Sequence, residues 1–361
     1  MTRLENALAQ IRPAVKSQRP YLVGAAGEKI TVKLNQNESP FDLPSELKKQ
    51  VLAVWEASPF NRYPNEQPSE LCHALGMHLE WDEAGIVVGN GSNELMYLLA
   101  TVCVSPTARV VLPRPMFSFY EKVIRLCEGV VTSVPPRSDL SFDTDRILEA
   151  IIELEPTLVV LATPNNPTGM AMTLDEVRAV VDAASGLVLV DEAYVEFSSE
   201  RSARELLSDY PNLILLRTFS KAFGLAGLRL GYLLGHPDLM AEVLKARVPF
   251  MIDRLSECAA IMLLEQLELM AARCNLLKAE VRKLYSSLVA MAGVAVLPTQ
   301  ANFVVFRPPV SSRAVMRGLE EAGVLVRDMS GYPELAGWLR VNVGTPSENR
   351  EFLHALKIVL S

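Results

Sequence analysis

From residue 85 onward the chain alternates short, nearly unbroken apolar runs with longer stretches whose apolar residues recur every three or four positions. The first kind predicts strands covered on both faces, and the second predicts helices packed against them. Their alternation predicts an α/β fold with a mostly parallel sheet. Strands are expected at 85–88, 109–112, 130–134, 157–162, 187–190 and 213–216, with helices at 92–104, 117–127 and 174–184. After about residue 240 the pattern changes. One long helical stretch covers 255–291, then short strands fall at 295–297, 303–306, 324–326 and 339–343, with helices at 312–321 and 347–359. That region reads as a smaller α+β domain. The expected division is an arm with part of the small domain over 1–40, a large domain over 41–250 and a small C-terminal domain over 251–361.

The composition narrows the choice of function. Half of the 361 residues are apolar and 21% are charged, which suits two folded domains and excludes disorder as the main state. The formal charge is 35 − 42 = −7, with no dense basic block, so neither nucleic acid nor an anionic membrane is an expected partner. The longest apolar run, 95–104, is far short of the roughly 18–20 residues of a membrane span. The opening MTRLENALAQ has no signal-peptide pattern. Five scattered cysteines without a C-x-x-C, and four histidines without an H-x-x-x-H, support neither disulfides nor a metal site. A cytoplasmic protein without a metal is expected.

Chemistry gathers where strands end. Four expected strands run into Gly89-Asn90-Gly91-Ser92-Asn93, Thr163-Pro164-Asn165-Asn166-Pro167-Thr168-Gly169, Asp191-Glu192-Ala193-Tyr194 and Arg217-Thr218-Phe219-Ser220-Lys221. Open α/β sheets bind ligands at the carboxyl ends of their strands, so these segments point to one polar site. The glycine motif opens a helix, where unpaired N–H groups attract phosphate, although a capped glycine turn would look the same. Asp191 follows an apolar strand and needs a cation or donors; a loop cap is its plain alternative. Lys221, between aromatics and hydroxyls, suits a nucleophilic amine, though most lysines simply reach solvent. Arg229 stands in an apolar stretch and suits a phosphate or a structural ion pair. Asn166 lies in turn chemistry. Arg327 and Arg340 stand in strands, facing either an anion or water.

The ordered set of motifs resembles the fold-type I pyridoxal 5′-phosphate (PLP) aminotransferases of class I/II, and more narrowly the histidinol-phosphate aminotransferases. It begins with Lys33-Leu34-Asn35-Gln36-Asn37-Glu38-Ser39-Pro40 and Arg62-Tyr63-Pro64, continues through the four strand-end motifs and Ala222–Gly231, and closes with Leu339-Arg340-Val341-Asn342-Val343-Gly344-Thr345. The resemblance implies a large domain built on a mostly parallel seven-stranded sheet. It makes Lys221 the Schiff-base lysine and Asp191 the partner of the pyridinium nitrogen. Tyr194 and Asn166 would hold the ring hydroxyl oxygen, and Phe117 would stack on the ring. Gly91, Ser92, Asn93, Thr218, Ser220 and Arg229 would hold the cofactor phosphate, with Tyr63 reaching it from the partner of a homodimer. Tyr21, Tyr63, Asn166, Arg327 and Arg340 would meet substrate. The implied reaction converts histidinol phosphate and 2-oxoglutarate to imidazole acetol phosphate and glutamate, in histidine biosynthesis. Two departures bear on substrate: Pro249-Phe250-Met251-Ile252-Asp253 replaces the usual P-F-N-V-N, and Asn93 stands where Asp is commoner. Alternatives with the same pattern are an aromatic amino-acid aminotransferase and a threonine-phosphate decarboxylase. A non-catalytic PLP-binding regulator fits less well, because Lys221 is intact and the segment before Asn35 is short for a DNA-binding domain.

Overall fold

A computed structural model describes residues 2–20 and 29–361. Its strands, in chain order, are β1 (Val32–Lys33), β2 (Ile86–Gly89), β3 (Arg109–Pro113), β4 (Val130–Val134), β5 (Leu158–Ala162), β6 (Leu187–Asp191), β7 (Leu213–Thr218), β8 (Gly231–Leu234), β9 (Ala295–Val296), β10 (Phe303–Arg307), β11 (Val324–Leu325), β12 (Arg327–Asp328) and β13 (Leu339–Asn342). Seven of them form one sheet in the order β2-β8-β7-β6-β5-β3-β4. The run from β4 across to β7 is parallel, and β8 is antiparallel to both neighbours.

Alternation explains why the strands are apolar throughout. Val159 and Leu161 of β5 join a core on one face, whereas Leu158, Val160 and Ala162 join a core on the other. The helices Ser92–Cys103 and Phe119–Leu126 cover the second face, and Thr144–Leu154 and Leu174–Ala183 cover the first. Strand order therefore reverses between β3 and β5, because the chain leaves β3 towards β4 over one face and returns to β5 over the other. Such a switch opens a crevice at the carboxyl ends of the strands.

The seventh strand, β8, is absent from the pattern-based reading. Its residues sit in the apolar stretch around Arg229, and the turn that separates them from β7 is made by backbone. Phe219 N–H donates to Leu230 C=O at 3.1 Å, and both Gly224 and Arg229 have positive φ. A β-carbon on Gly231 would lie 2.7 Å from Ser92 N, so glycine lets β8 approach the helix N-terminus.

The remaining strands form an antiparallel sheet, β12-β13-β10-β9, and a parallel pair, β1-β11. The pair ties the N-terminal segment to the C-terminal part of the chain, and Asn342 N–H adds a bond to Leu34 C=O at 3.1 Å. The expected strand 324–326 divides into β11 and β12, which serve different sheets. The expected helix 255–291 is two helices, Arg254–Leu264 and Leu267–Val289. The break at Glu265 and Gln266 contains no helix breaker. Packing sets it: the first helix lies on Ser45–Glu56 and Ser69–Leu79, the second on β9, β10 and Pro346–Leu360.

Candidate active site

A cavity of about 620 Å³ lies at the carboxyl ends of the central strands. The segment after β1 forms one wall, the helix Ser92–Cys103 closes one end, and β12 and β13 close the other.

The first end is built for an anion. Gly91 (φ +81°) precedes the helix Ser92–Cys103, and a β-carbon there would collide with the Arg229 guanidinium. Arg229 Nη1 donates to Ala226 C=O at 3.0 Å and lies 3.4 Å from Ser220 Oγ. Thr218 Oγ1 accepts from Ser220 N–H at 3.0 Å, which draws both hydroxyl residues together. Ser92 and Asn93 supply the first N–H groups of the helix, where the dipole favours negative charge.

Asp191 ends β6 at the cavity wall. Its Oδ1 accepts from Ala193 N–H at 2.9 Å, and its Oδ2 accepts from the Tyr120 hydroxyl at 2.5 Å. Desolvation pushes its pKa up to about 6, with the Tyr120 and Ala193 donors pulling the other way. Lys221 lies in the loop after β7 and donates from Nζ to Gln36 C=O at 2.9 Å. Desolvation and the nearby Arg340 push its pKa down to about 8.

Tyr194 is buried, accepts from Asn37 Nδ2 at 2.9 Å and meets Phe303 edge-on, with centroids 5.4 Å apart. Asn166 Oδ1 accepts from Arg340 Nη1 at 2.5 Å. Arg340 also donates to Asn35 C=O at 3.2 Å, and its guanidinium lies 5.2 Å from the Phe303 ring centre. Arg327 on β12 is the register partner of Arg340 on β13, so both arginines share one sheet face beside the cavity. Phe117 lines the cavity as well.

Tyr63 is not brought to this cavity by its own chain. It is 79% exposed and stacks on Phe250 with centroids 4.8 Å apart. Tyr21 lies outside the described residues. Several residues without an expected role do reach the site. Tyr120 is one; Gln36 and Asn37 are others. Asn37 is locked by Asn342 Oδ1 accepting from its N–H at 3.1 Å and by Asn302 Nδ2 donating to its C=O at 3.2 Å. The signal of Gln36 and Asn37 in the sequence is a polar run, Asn35-Gln36-Asn37, just after Val32-Lys33-Leu34. Beside the site, Arg217 Nη2 and Glu192 Oε2 form a buried ion pair at 2.7 Å, and Ser202 bonds both partners. It braces the ends of β6, which carries Asp191, and of β7, which leads into the loop of Lys221.

The two perturbed groups oppose folding of the cofactor-free protein near neutral pH. The Asp191 pKa is raised, so its stabilising share is present below 3.8 and lost as pH rises through about 6. The Lys221 pKa is depressed, so its share is present above 10.5 and lost as pH falls through about 8. Near pH 7 both destabilise the cofactor-free protein. Lys221→Met should therefore raise its stability at pH 7 by about 1–3 kcal/mol, a gain that shrinks between pH 8 and 10.5. Urea unfolding at pH 7 and pH 10 measures it; a gain independent of pH would show that Lys221 is not desolvated.

Residues 29–356 match the family model of aminotransferase class I and II. The chain belongs to that family. It is 42% identical over 347 residues to the histidinol-phosphate aminotransferase of Chlorobaculum tepidum, covering 96% of this chain and 99% of the relative. It is 41% identical over 349 residues to the enzyme of the same name from Chlorobaculum parvum, covering 97% and 98%. The crystal structure of histidinol-phosphate aminotransferase from Sinorhizobium meliloti in complex with pyridoxal-5'-phosphate superposes with a TM-score of 0.89 at 26% identity, covering 98% of each chain. The fold is that of the fold-type I aminotransferases, and the chain is an aminotransferase.

Proposed function

We propose that this enzyme holds pyridoxal 5′-phosphate in the cavity and moves an amino group between histidinol phosphate and 2-oxoglutarate, as a step of histidine biosynthesis. The observation that carries the reading is that the Lys221 amine and the Asp191 carboxylate face one cavity with an anion nest at one end and two arginines at the other. The names of the relatives support it, as does the PLP held by the Sinorhizobium meliloti enzyme.

The residues fit the cofactor. The space that glycine leaves at position 91, with the 92–93 N–H groups, Thr218, Ser220 and Arg229, suits a phosphate. Asp191 would face a protonated ring nitrogen, Tyr194 and Asn166 the ring hydroxyl oxygen, and Phe117 one ring face. Bound there, PLP supplies an electron sink that lets a C–H bond of the amine substrate ionise. The protein handles the proton. Burial and the nearby Arg340 lower the Lys221 pKa, so more of its amine is neutral near pH 7 than in an exposed lysine, able to accept a proton at Nζ and return it. Arg340 is held by Asn166 and Asn35 with its guanidinium beside the cavity, where a carboxylate or phosphate can dock.

The test is a donor panel. Histidinol phosphate, phenylalanine and threonine phosphate are each supplied with 2-oxoglutarate, and kcat/KM is compared. Histidinol phosphate should lead; a higher value for phenylalanine, or carbon dioxide release from threonine phosphate, contradicts the reading. Arg340→Ala should damage both half-reactions. Arg327→Ala should raise KM for histidinol phosphate more than for glutamate. Each lost contact should cost about 2–5 kcal/mol of binding.

The active unit we propose is a homodimer in which Tyr63 crosses to the partner's cofactor phosphate. Exposed Trp55, Phe60, Tyr63, Val248 and Phe250 supply apolar surface for such an interface. Mixing inactive Lys221→Ala with inactive Tyr63→Ala subunits should restore activity, because each mixed dimer holds one intact site. Absence of recovery in verified mixed dimers contradicts the shared site. The compartment we propose is the cytoplasm; all five cysteines are free thiols, which suits reducing conditions. No helix among the described residues is long and apolar enough to cross a membrane.

A further inference from the structure

Tyr120 stands in the first turn of the helix Phe119–Leu126, beside the switch in strand order between β3 and β5. The residue is buried, and its ring meets that of Phe117 edge-on with centroids 6.4 Å apart. Its hydroxyl donates to Asp191 Oδ2 at 2.5 Å, while Ala193 N–H donates to Oδ1 at 2.9 Å. We propose that Tyr120 is the positioning residue of this site: its hydroxyl fixes the plane of the Asp191 carboxylate so that the oxygens meet the ring nitrogen of the cofactor. The inference rests on the reading of the cavity as a PLP site.

Two physical arguments support it. The first is rotational. The torsion of a carboxylate about its last bond is broad and has no sharp minima. One donor, Ala193 N–H, would leave the group free to swing. A second donor on the other oxygen, from a helix packed on the opposite side, leaves one orientation.

The second argument is electrostatic. The surrounding protein disfavours the ionised carboxylate, and each donor offsets part of that penalty. The groups that act on Asp191 are few. Glu192, the next residue, just past the end of β6, repels it, but its charge is committed to Arg217 at 2.7 Å. Lys221 attracts it from the loop after β7, and the charge of Asp191 acts in turn on the Tyr194 hydroxyl, which is bonded to Asn37. Of the donor side chains, Tyr120 alone is hydrogen-bonded to the carboxylate among the described residues. Burial and the charge of Asp191 hold the Tyr120 hydroxyl well above its ordinary pKa, so it remains a donor wherever the enzyme works. Phenylalanine would fill the same ring volume and remove only this bond.

The experiment compares two ligands on the cofactor-free full chain by titration calorimetry: PLP, and its analogue with carbon in place of the ring nitrogen. Tyr120→Phe should weaken PLP about tenfold and leave the analogue within about twofold. The pH below which PLP binding weakens should move up by about one unit, because Asp191 then holds its proton over a wider range. In an Asp191→Asn background, Tyr120→Phe should cost nothing more. Equal loss for both ligands, no loss, or an undiminished loss in the Asp191→Asn background overturns the proposal and leaves Tyr120 a packing residue. Should Tyr120→Phe fail to fold, the same comparison is read on Tyr120→His, which restores an N–H donor and should keep part of the preference for PLP. A wild-type chain that binds neither ligand overturns the PLP reading and this inference together. A wild-type chain that binds PLP, with a variant that binds it equally well, overturns this inference alone.

Discussion

Lys221→Ala should lower kcat by about 10⁴-fold or more, and the variant protein should still fold and still take up PLP. The rate falls because the variant loses both a nucleophilic amine and the group that carries the proton. No other lysine lies among the cavity residues, so nothing inherits the role. Folding survives because Lys221 Nζ makes one bond to a backbone carbonyl, Gln36 C=O, and its desolvation opposes stability near neutral pH. Uptake survives because the anion nest at Gly91, Ser220 and Arg229 does not involve the amine. Steady-state turnover with histidinol phosphate, beside equilibrium dialysis with PLP, separates the two outcomes. Turnover within tenfold of the wild type would remove Lys221 from the chemistry.

Asp191→Asn should lower kcat by about 10²-fold, which is about 3 kcal/mol of barrier. An asparagine keeps the shape. Its Oδ1 can still accept from Ala193 N–H, and what it lacks is the charge, so the loss is electrostatic. The missing charge matters because the site is partly dry, and an ion pair there is worth far more than in water. The measurement is kcat at saturating donor over pH 6–9. A variant with near wild-type turnover would assign Asp191 to loop capping.

The polar motifs were readable because each follows an apolar strand. Lys221, Asp191, Asn166 and the Gly91 turn interrupt strongly patterned segments, and chemistry placed at strand ends is what an open sheet offers a ligand. Tyr120 was not readable. Its helix is amphipathic, and a tyrosine on the inward face of an amphipathic helix looks like core; only the fold reveals that the ring reaches β6. Gln36 and Asn37 come to the cavity through the pairing of β1 with β11, a contact between residues nearly three hundred positions apart. The antiparallel β8 was hidden because its start is a backbone turn at Arg229, a residue type that local rules do not place at positive φ. The break at Glu265 was hidden for a related reason: two helices with different packing partners share one uninterrupted helical pattern. Tyr63 could be connected to the site only through the family resemblance, since within its own chain the ring stacks on Phe250 away from the cavity.

We propose that Lys221 is the cofactor lysine of this aminotransferase. Borohydride reduction of the PLP-loaded protein, followed by peptide mapping, tests it most directly. One pyridoxyl label per chain is expected, on the peptide that contains Thr218-Phe219-Ser220-Lys221, and no label on that peptide in Lys221→Ala. A label on another lysine, or a PLP-loaded protein with no reducible linkage, would contradict it.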